Sequence, residues 1–247
     1  MKPKLQQLYA QRRVLNLGDN DDTHVVLADL RSPVYLTTNY DDFMFQAIQA
    51  RASANGVKDP KRDFCRWSDK LFETRNKWVS PFDSGFQPTR SEPIVYHLHG
   101  HAEVPDSIVV SEDDYTDFIV NTSAELIVGK GGKAKRERVP GAIRDALCNN
   151  QLLFVGYRLA DQNLHVLLRM VTLKLGIKKL NLAIQLSPSL ADTDPKLVPM
   201  ILKYLEDRYE WSLKLQVYWG DAREFAAELR KHMVERSSAV AAGGNAA

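Results

Sequence analysis

Asn39, Asp41 and His99 stand at the ends of two short β-rich runs, and their side chains can hold a ligand or move a proton. The first run reads Val34-Tyr35-Leu36-Thr37-Thr38-Asn39-Tyr40-Asp41-Asp42 and the second Ile94-Val95-Tyr96-His97-Leu98-His99-Gly100. An imidazole with an unperturbed pKa of ~6.5 exchanges protons near neutrality, which makes His99 a candidate general base. Asn39 and Asp41 offer an amide and a carboxylate to hydroxyls or to an ordered water. In a parallel sheet, ligands sit beyond the carboxyl ends of the strands, so these three residues are the first to place around one. A plainer reading stands beside it. Asn and Asp after a strand make Asx turns and cap the next helix, and a strand-end His can simply bond to backbone.

His97 precedes His99 by two residues and would share its face if the strand continued that far. The spacing is that of a metal pair, yet a zinc site takes three or four ligands and no third ligand is apparent; His101 adds a third imidazole, but past Gly100 its direction is undetermined. No metal is expected. Cys65 and Cys148 are the only cysteines and form no CxxC pair, as in a cytoplasmic protein with reduced thiols.

The elements that must carry these residues alternate in type. Residues 34–38, 94–98, 107–110, 151–157, 180–186 and 213–219 read as strands. The run 151–155 is continuously apolar, the pattern of a strand buried on both faces. Helices are expected over 42–52, with Phe43, Ala47 and Ile48 inward, and after Ser111, where acids fill the first turn. Another follows Asp161, with Leu164, Leu167, Leu168 and Val171 in a stripe. The last opens at Asp221 with a capping-box variant and turns Phe225, Leu229 and Met233 inward. Strands separated by helices predict an α/β fold built on a doubly wound, mostly parallel sheet with helices on both faces. Residues 53–92 and 128–142 break the rhythm and read as insertions forming a small helical or irregular subdomain or lid. Residues 1–236 then make one domain, and the Ala/Gly/Ser-rich 237–247 a disordered tail.

Bulk properties bound the function. The chain has 247 residues, 44% hydrophobic and 26% charged, with a net charge of +2. That balance gives no charge-based case for nucleic acid or membrane. No apolar run reaches the ~18 residues of a membrane helix, and the start lacks a signal-peptide core. The basic stretch around Lys130, Lys133, Lys135, Arg136 and Arg138 has no interleaved aromatics and reads as a solvated loop; contact with phosphates, nucleic acid or a partner protein is the alternative.

Three phrases, in order, resemble the SIR2-like (sirtuin-type) NAD-binding family, in particular its bacterial anti-phage defence branch. They are Thr37-Thr38-Asn39-Tyr40-Asp41; Leu98-His99-Gly100 followed by residues 107–115; and Leu153-Phe154-Val155-Gly156-Tyr157 with Asp161-Gln162-Asn163. The likeness extends over residues 24–235. It implies a Rossmann-like sheet with NAD+ lying across it as substrate. Asn39 would hold the nicotinamide ribose or a water, and His99 would be the base on a ribose hydroxyl. Asp41 would contact the nicotinamide-ribose side, and Gly156 with the start of the Asp161 helix the adenosine side. Thr37, Thr38, Gly100, Tyr157 and Asn163 complete the expected NAD-binding set.

The implied activity is cleavage of the nicotinamide–ribose bond, a defence by NAD depletion, in a cytoplasmic protein. A homo-oligomer or a phage-sensing protein is the implied partner, and no membrane or direct nucleic-acid contact is expected. Two departures bear on this. The family's glycine-rich phosphate loop has no counterpart; the nearest stretch, residues 17–22, has one glycine and three carboxylates, which repel phosphate. The chain therefore reads as starting after the family's first βα unit. The zinc ribbon of the deacetylase branch is also absent, which speaks against protein deacetylation. A non-catalytic nucleotide-binding or assembly module is the rival reading.

Overall fold

The computed structural model describes residues 15, 17–72, 78–128, 137–156, 181–186 and 194–243. The Tyr157–Asn163 part of the expected NAD site and the helix after Asp161 lie outside these residues, as does most of the basic stretch. Helix α1 spans Thr23–Asp29, with the Asp22 carboxylate accepting the His24 N–H at its start and Val25, Val26 and Ala28 buried. Strand β1 covers Val34–Thr37, helix α2 Phe43–Ala50 and the short α3 Ala52–Asn55. Strands β2 (Lys61–Phe64) and β3 (Ile94–His97) follow. Helix α4 spans Glu112–Val128 and α5 Gly141–Asn149. The remaining elements are β4 (Leu153–Phe154), β5 (Asn181–Gln185), α6 (Val198–Leu213), β6 (Leu215–Trp219) and α7 (Ala222–Gly243).

Among the described residues the strands all pair in parallel, in two three-stranded sheets ordered β1-β3-β2 and β4-β5-β6. This is the Rossmann-like α/β architecture, divided among the described residues into two sheets. Central β3 is buried along its whole length, and its alternation serves two cores. Ile94 and Tyr96 pack with Phe118 of α4 and Ile143 and Leu147 of α5, while Val95 packs with Ala28 of α1 and Ala47 and Ile48 of α2. Helices thus cover both faces of this sheet. The second sheet has its own core of Phe154, Ala183, Leu213 and Leu215, and Leu152 packs against both it and the α4–α5 side. Asn181 stitches β4 to β5, its Oδ1 accepting the Leu152 N–H at 2.8 Å.

Several expectations are corrected. Residues 107–110 are not a strand: a 3₁₀ turn occupies Pro105–Ser107, and Ile108 and Val109 are fully buried without joining a sheet. Their β-branched side chains fill the core, while the Val109 N–H is satisfied by the His99 carbonyl at 2.9 Å. The apolar run at 151–157 yields only the two-residue β4, whose Leu153 is half-exposed, rather than a strand buried on both faces. Inside the stretch expected to be an insertion, Lys61–Phe64 is an edge strand of the first sheet. Trp67 and Leu71 from the same stretch belong to the main core, as do the half-buried Phe82 and Phe86. Helix α7 continues to Gly243, past Ser237, because alanine-rich sequence favours helix; Ser237 and Ser238 bond back to the Met233 and Val234 carbonyls. Among its residues of described burial, 222–238, Ala226 is fully buried and Phe225, Leu229 and Met233 only half-buried.

Candidate functional site

Register brings the two polar segments together. Thr37 pairs with His97 across β1 and β3, so the chain leaves both strands on the same edge of the sheet. The Leu98 N–H donates to the Thr37 carbonyl at 2.8 Å and the Ala102 N–H to the Tyr40 carbonyl at 2.9 Å. The β1–α2 loop and the loop after β3 are therefore laced to one another along their length.

On the β1 loop, Thr37 Oγ1 accepts the Asn39 N–H at 3.0 Å, and the Asn39 side chain lies on an exposed residue. Thr38 is half-buried. Asp41 Oδ1 accepts the Phe43 N–H at 3.1 Å, the Asx arrangement that starts α2. Tyr40 reaches across, its hydroxyl donating to the Val109 carbonyl at 2.5 Å. On the β3 loop, half-buried His99 lies edge-on to Tyr115 and Phe118 of α4, with ring centroids 5.2 and 5.1 Å away. Gly100 is buried at φ +90°, and a Cβ there would sit 2.1 Å from the Ser107 carbonyl oxygen. Chain packing thus demands glycine at this position whatever its part in binding. Gly156 lies on the other sheet, exposed just after β4 at φ +76° with no atom of the described residues close by.

The two histidines expected to share a face do not. β3 ends at His97, the chain turns at Leu98 and His99, and the rings part company: His99 toward α4, His97 toward the β1 loop. His97 is fully buried, with Nδ1 2.9 Å from the Asn39 carbonyl oxygen. A carbonyl only accepts, so Nδ1 carries the proton. His97 Nε2 has no hydrogen-bond partner. Burial first, and then the nearby His101, hold the His97 ring down at about 4, so it is neutral at physiological pH.

His101, 1% exposed, packs edge-on against His97 with centroids 4.7 Å apart. The Glu103 N–H donates to His101 Nδ1 at 3.1 Å, which leaves the proton on Nε2, 2.9 Å from Asp42 Oδ1. Asp42 also binds Arg62, whose guanidinium lies 4.8 Å from the Trp78 ring centre and reaches Glu103 at 3.1 Å. Burial would raise the Asp42 carboxyl, but the bonds from His101 and Arg62 outweigh it and keep it at about 2. Asp42 sits at the N-cap of α2 yet makes no cap bond, since its carboxylate is committed to this network.

Asp42, His97 and His101 offer three ligand atoms within 4.8 Å of one another. The cluster thus pairs His97 with His101, not with His99, and takes its carboxylate from the β1 loop, where sequence proximity could not reveal it. At His101 and Asp42, however, the hydrogen bonds already present oppose a ligand role. His101 would have to surrender its Nε2 proton while Nδ1 faces an N–H donor, and Arg62 already supplies the positive charge that Asp42 needs. A groove of about 500 Å³ lined by Lys61, Arg62, Val79, Ser80, Pro81 and Phe86 lies along β2, and none of Asn39, Asp41 and His99 lines it.

The parallel strands with helices on both faces define a Rossmann-like domain, and the laced polar loops stand at the carboxyl ends of the strands, where parallel sheets of this kind hold ligands. The chain belongs to the SIR2-like domain family, whose model matches residues 33–202. It is 26% identical over 153 residues to the NAD(+) hydrolase ThsA of Bacillus cereus (strain MSX-D12), covering 62% of this chain and 25% of that protein. It is also 26% identical over 145 residues to the protein of that name from Acinetobacter baumannii (strain 532279), covering 59% of this chain and 23% of the relative. The Cytobacillus dafuensis protein of that name is 25% identical over 156 residues, 63% of this chain and 25% of its own length. The chain thus spans about a quarter of the length of these relatives. No helix among the described residues is long and apolar enough to cross a membrane.

Proposed function

We propose that the chain carries the hydrolytic site of a SIR2-like NAD+ hydrolase, cleaving NAD+ and water to nicotinamide, ADP-ribose and a proton. The observation that carries this reading is the Thr37–His97 register, which sets the Asn39 and His99 loops side by side at the sheet edge. The likeness to the ThsA hydrolases supports NAD+ as the substrate. In this reading His99 takes a proton from a ribose hydroxyl as the ribose becomes oxocarbenium-like. Asn39 holds the ribose or the attacking water, and Thr37, Thr38, Asp41 and Gly100 shape the nicotinamide-ribose side. Gly156, Tyr157, Asp161 and Asn163 line the adenosine side. The setting is anti-phage defence by NAD depletion in the cytoplasm, with a phage-sensing protein or further copies of the chain as partners.

A nicotinamide-release assay tests the reading. His99→Ala and Asn39→Ala should each abolish turnover in a folded protein, since acid–base help of this kind is worth ~10²–10⁴-fold. Equal turnover in wild type and variants would overturn the site. One observation favours a second reading, a non-catalytic module. The N-terminus of α1, which follows the acidic stretch 17–22, is already capped by Asp22 and flanked by Asp19 and Asp21, a poor seat for a pyrophosphate. Absence of both turnover and calorimetric NAD+ binding would select that reading.

A further inference from the structure

His97 belongs to a cluster with two costly features. Its Nε2 is a buried acceptor without a partner, which an apolar side chain of similar size would avoid. Asp42 gives up a helix cap to bind His101 and Arg62. Both oddities meet at the His97 ring, which packs on His101 and whose Nδ1 faces the carbonyl of Asn39. Three successive groups of the β3 loop grip the β1 loop: the Leu98 N–H on Thr37, the His97 ring on Asn39 and the Ala102 N–H on Tyr40. Two of these are backbone amides that any residue would supply. The middle one is a side chain, and of these three it alone depends on residue identity; the His101–Asp42 bond and the Tyr40 hydroxyl on the Val109 carbonyl tie the loops further along.

We propose that His97 is a positioning residue for Asn39. Its Nδ1–H fixes the Asn39 carbonyl, and the His101–Asp42–Arg62 chain wedges the ring in place, so that the exposed Asn39 side chain is aimed across the strand ends toward the His99 side. His97 touches no substrate in this scheme. The inference rests on the hydrolase reading for its catalytic readout and on hydrogen bonding for its structural one. A neutral ring with a single N–H makes the assignment definite, because only the Nδ1–H form can hold a carbonyl.

The test uses the full chain with His97→Leu, which removes the donor, and His97→Asn, whose amide nitrogen stands near the Nδ1 position. Leu213→Ala, in the core of the second sheet, supplies stability loss away from the site. Misplacing a reacting group by about an ångström costs roughly a hundredfold in rate. His97→Leu should therefore lower kcat for nicotinamide release by about that factor, with KM for NAD+ shifted far less. His97→Asn should recover most of kcat, and Leu213→Ala should keep it even when its stability falls as far as that of His97→Leu. Wild-type kcat in His97→Leu would overturn the proposal, as would kcat losses that merely follow stability across all three variants. Should the wild type itself release no nicotinamide, the hydrolase reading fails, and nitrogen-15 spectra of the histidine ring decide the positioning role. A His97 Nδ1–H signal, with slow amide exchange at Tyr40 that quickens in His97→Leu but not in His97→Asn, supports it; an Nε2–H ring refutes it. Stoichiometric zinc retained by the wild type and lost from His97→Leu would also refute it, since Nε2 would then be a ligand.

Discussion

Gly100→Ala tests whether the loop after β3 is held by close chain packing. The substitution places a methyl 2.1 Å from the Ser107 oxygen, 2.3 Å from its carbonyl carbon and 2.7 Å from the Ile108 nitrogen. All three are backbone atoms, so no side-chain rotation relieves the clash. The Ser107 segment is itself pinned, its carbonyl accepting the Trp67 Nε1–H at 2.8 Å and its hydroxyl accepting the His101 N–H at 2.9 Å. A left-handed backbone costs an alanine about 1–2 kcal/mol, and forcing a methyl into a packed interior about 1–3 kcal/mol more. The expected loss is therefore about 2–5 kcal/mol, a large share of the ~5–15 kcal/mol that holds a typical domain together. Gly156→Ala separates the two parts. At φ +76° with no atom of the described residues within 4 Å, it should show only the backbone cost, about 1–2 kcal/mol. Urea unfolding at equal m-value measures both. Equal losses in the two variants would mean that the close approach at Ser107 contributes nothing, and the packing account of Gly100 would be wrong.

Stability should fall as acid is added. The unfolded chain protonates His97 near ~6.5 while the native ring resists until about 4, so stability present above ~6.5 is lost between those values, by up to about 3 kcal/mol. Asp42, held at about 2, extends the loss below the unfolded carboxylate range near ~3.9; Asp63, raised by burial despite Arg66 and Ser80, works in the opposite direction. Urea titrations at several pH values should show a shallower decline for His97→Asn than for wild type, and parallel curves would contradict the assignment. Asp221→Ala should cost about 1 kcal/mol, since its carboxylate accepts the Arg223 and Glu224 N–H groups while the Glu224 carboxylate accepts the Asp221 N–H. A loss below a few tenths in denaturant unfolding would show that α7 does not depend on this cap.

Much of the fold was legible because it is local. β1, β3, β5 and β6 are short runs of strand-forming residues, and each ends within a few residues of its expected limit. Ser111 and Asp221 cap helices because their hydroxyl and carboxylate reach amides only two or three residues away. The meeting of the Asn39 and His99 loops was also readable, since parallel strands deliver their carboxyl ends to one edge.

Partnership across the chain was not legible. Residues 108–110 have strand composition, yet a strand needs a neighbour, and burial claimed Ile108 and Val109 without one. Lys61–Phe64 looked like part of an insertion because its charges suit a surface, and an edge strand tolerates them. The sequence by itself determined the α/β rhythm, the caps and the two polar strand ends, because each depends on residues in direct succession. The tertiary structure alone decided that His97 turns away from His99, grips Asn39 and leans on a network anchored by Asp42, 59 positions from His101. Where a strand stops and which loop then packs beside it are set by the whole core, and a two-residue spacing says nothing about direction once the pleat has ended.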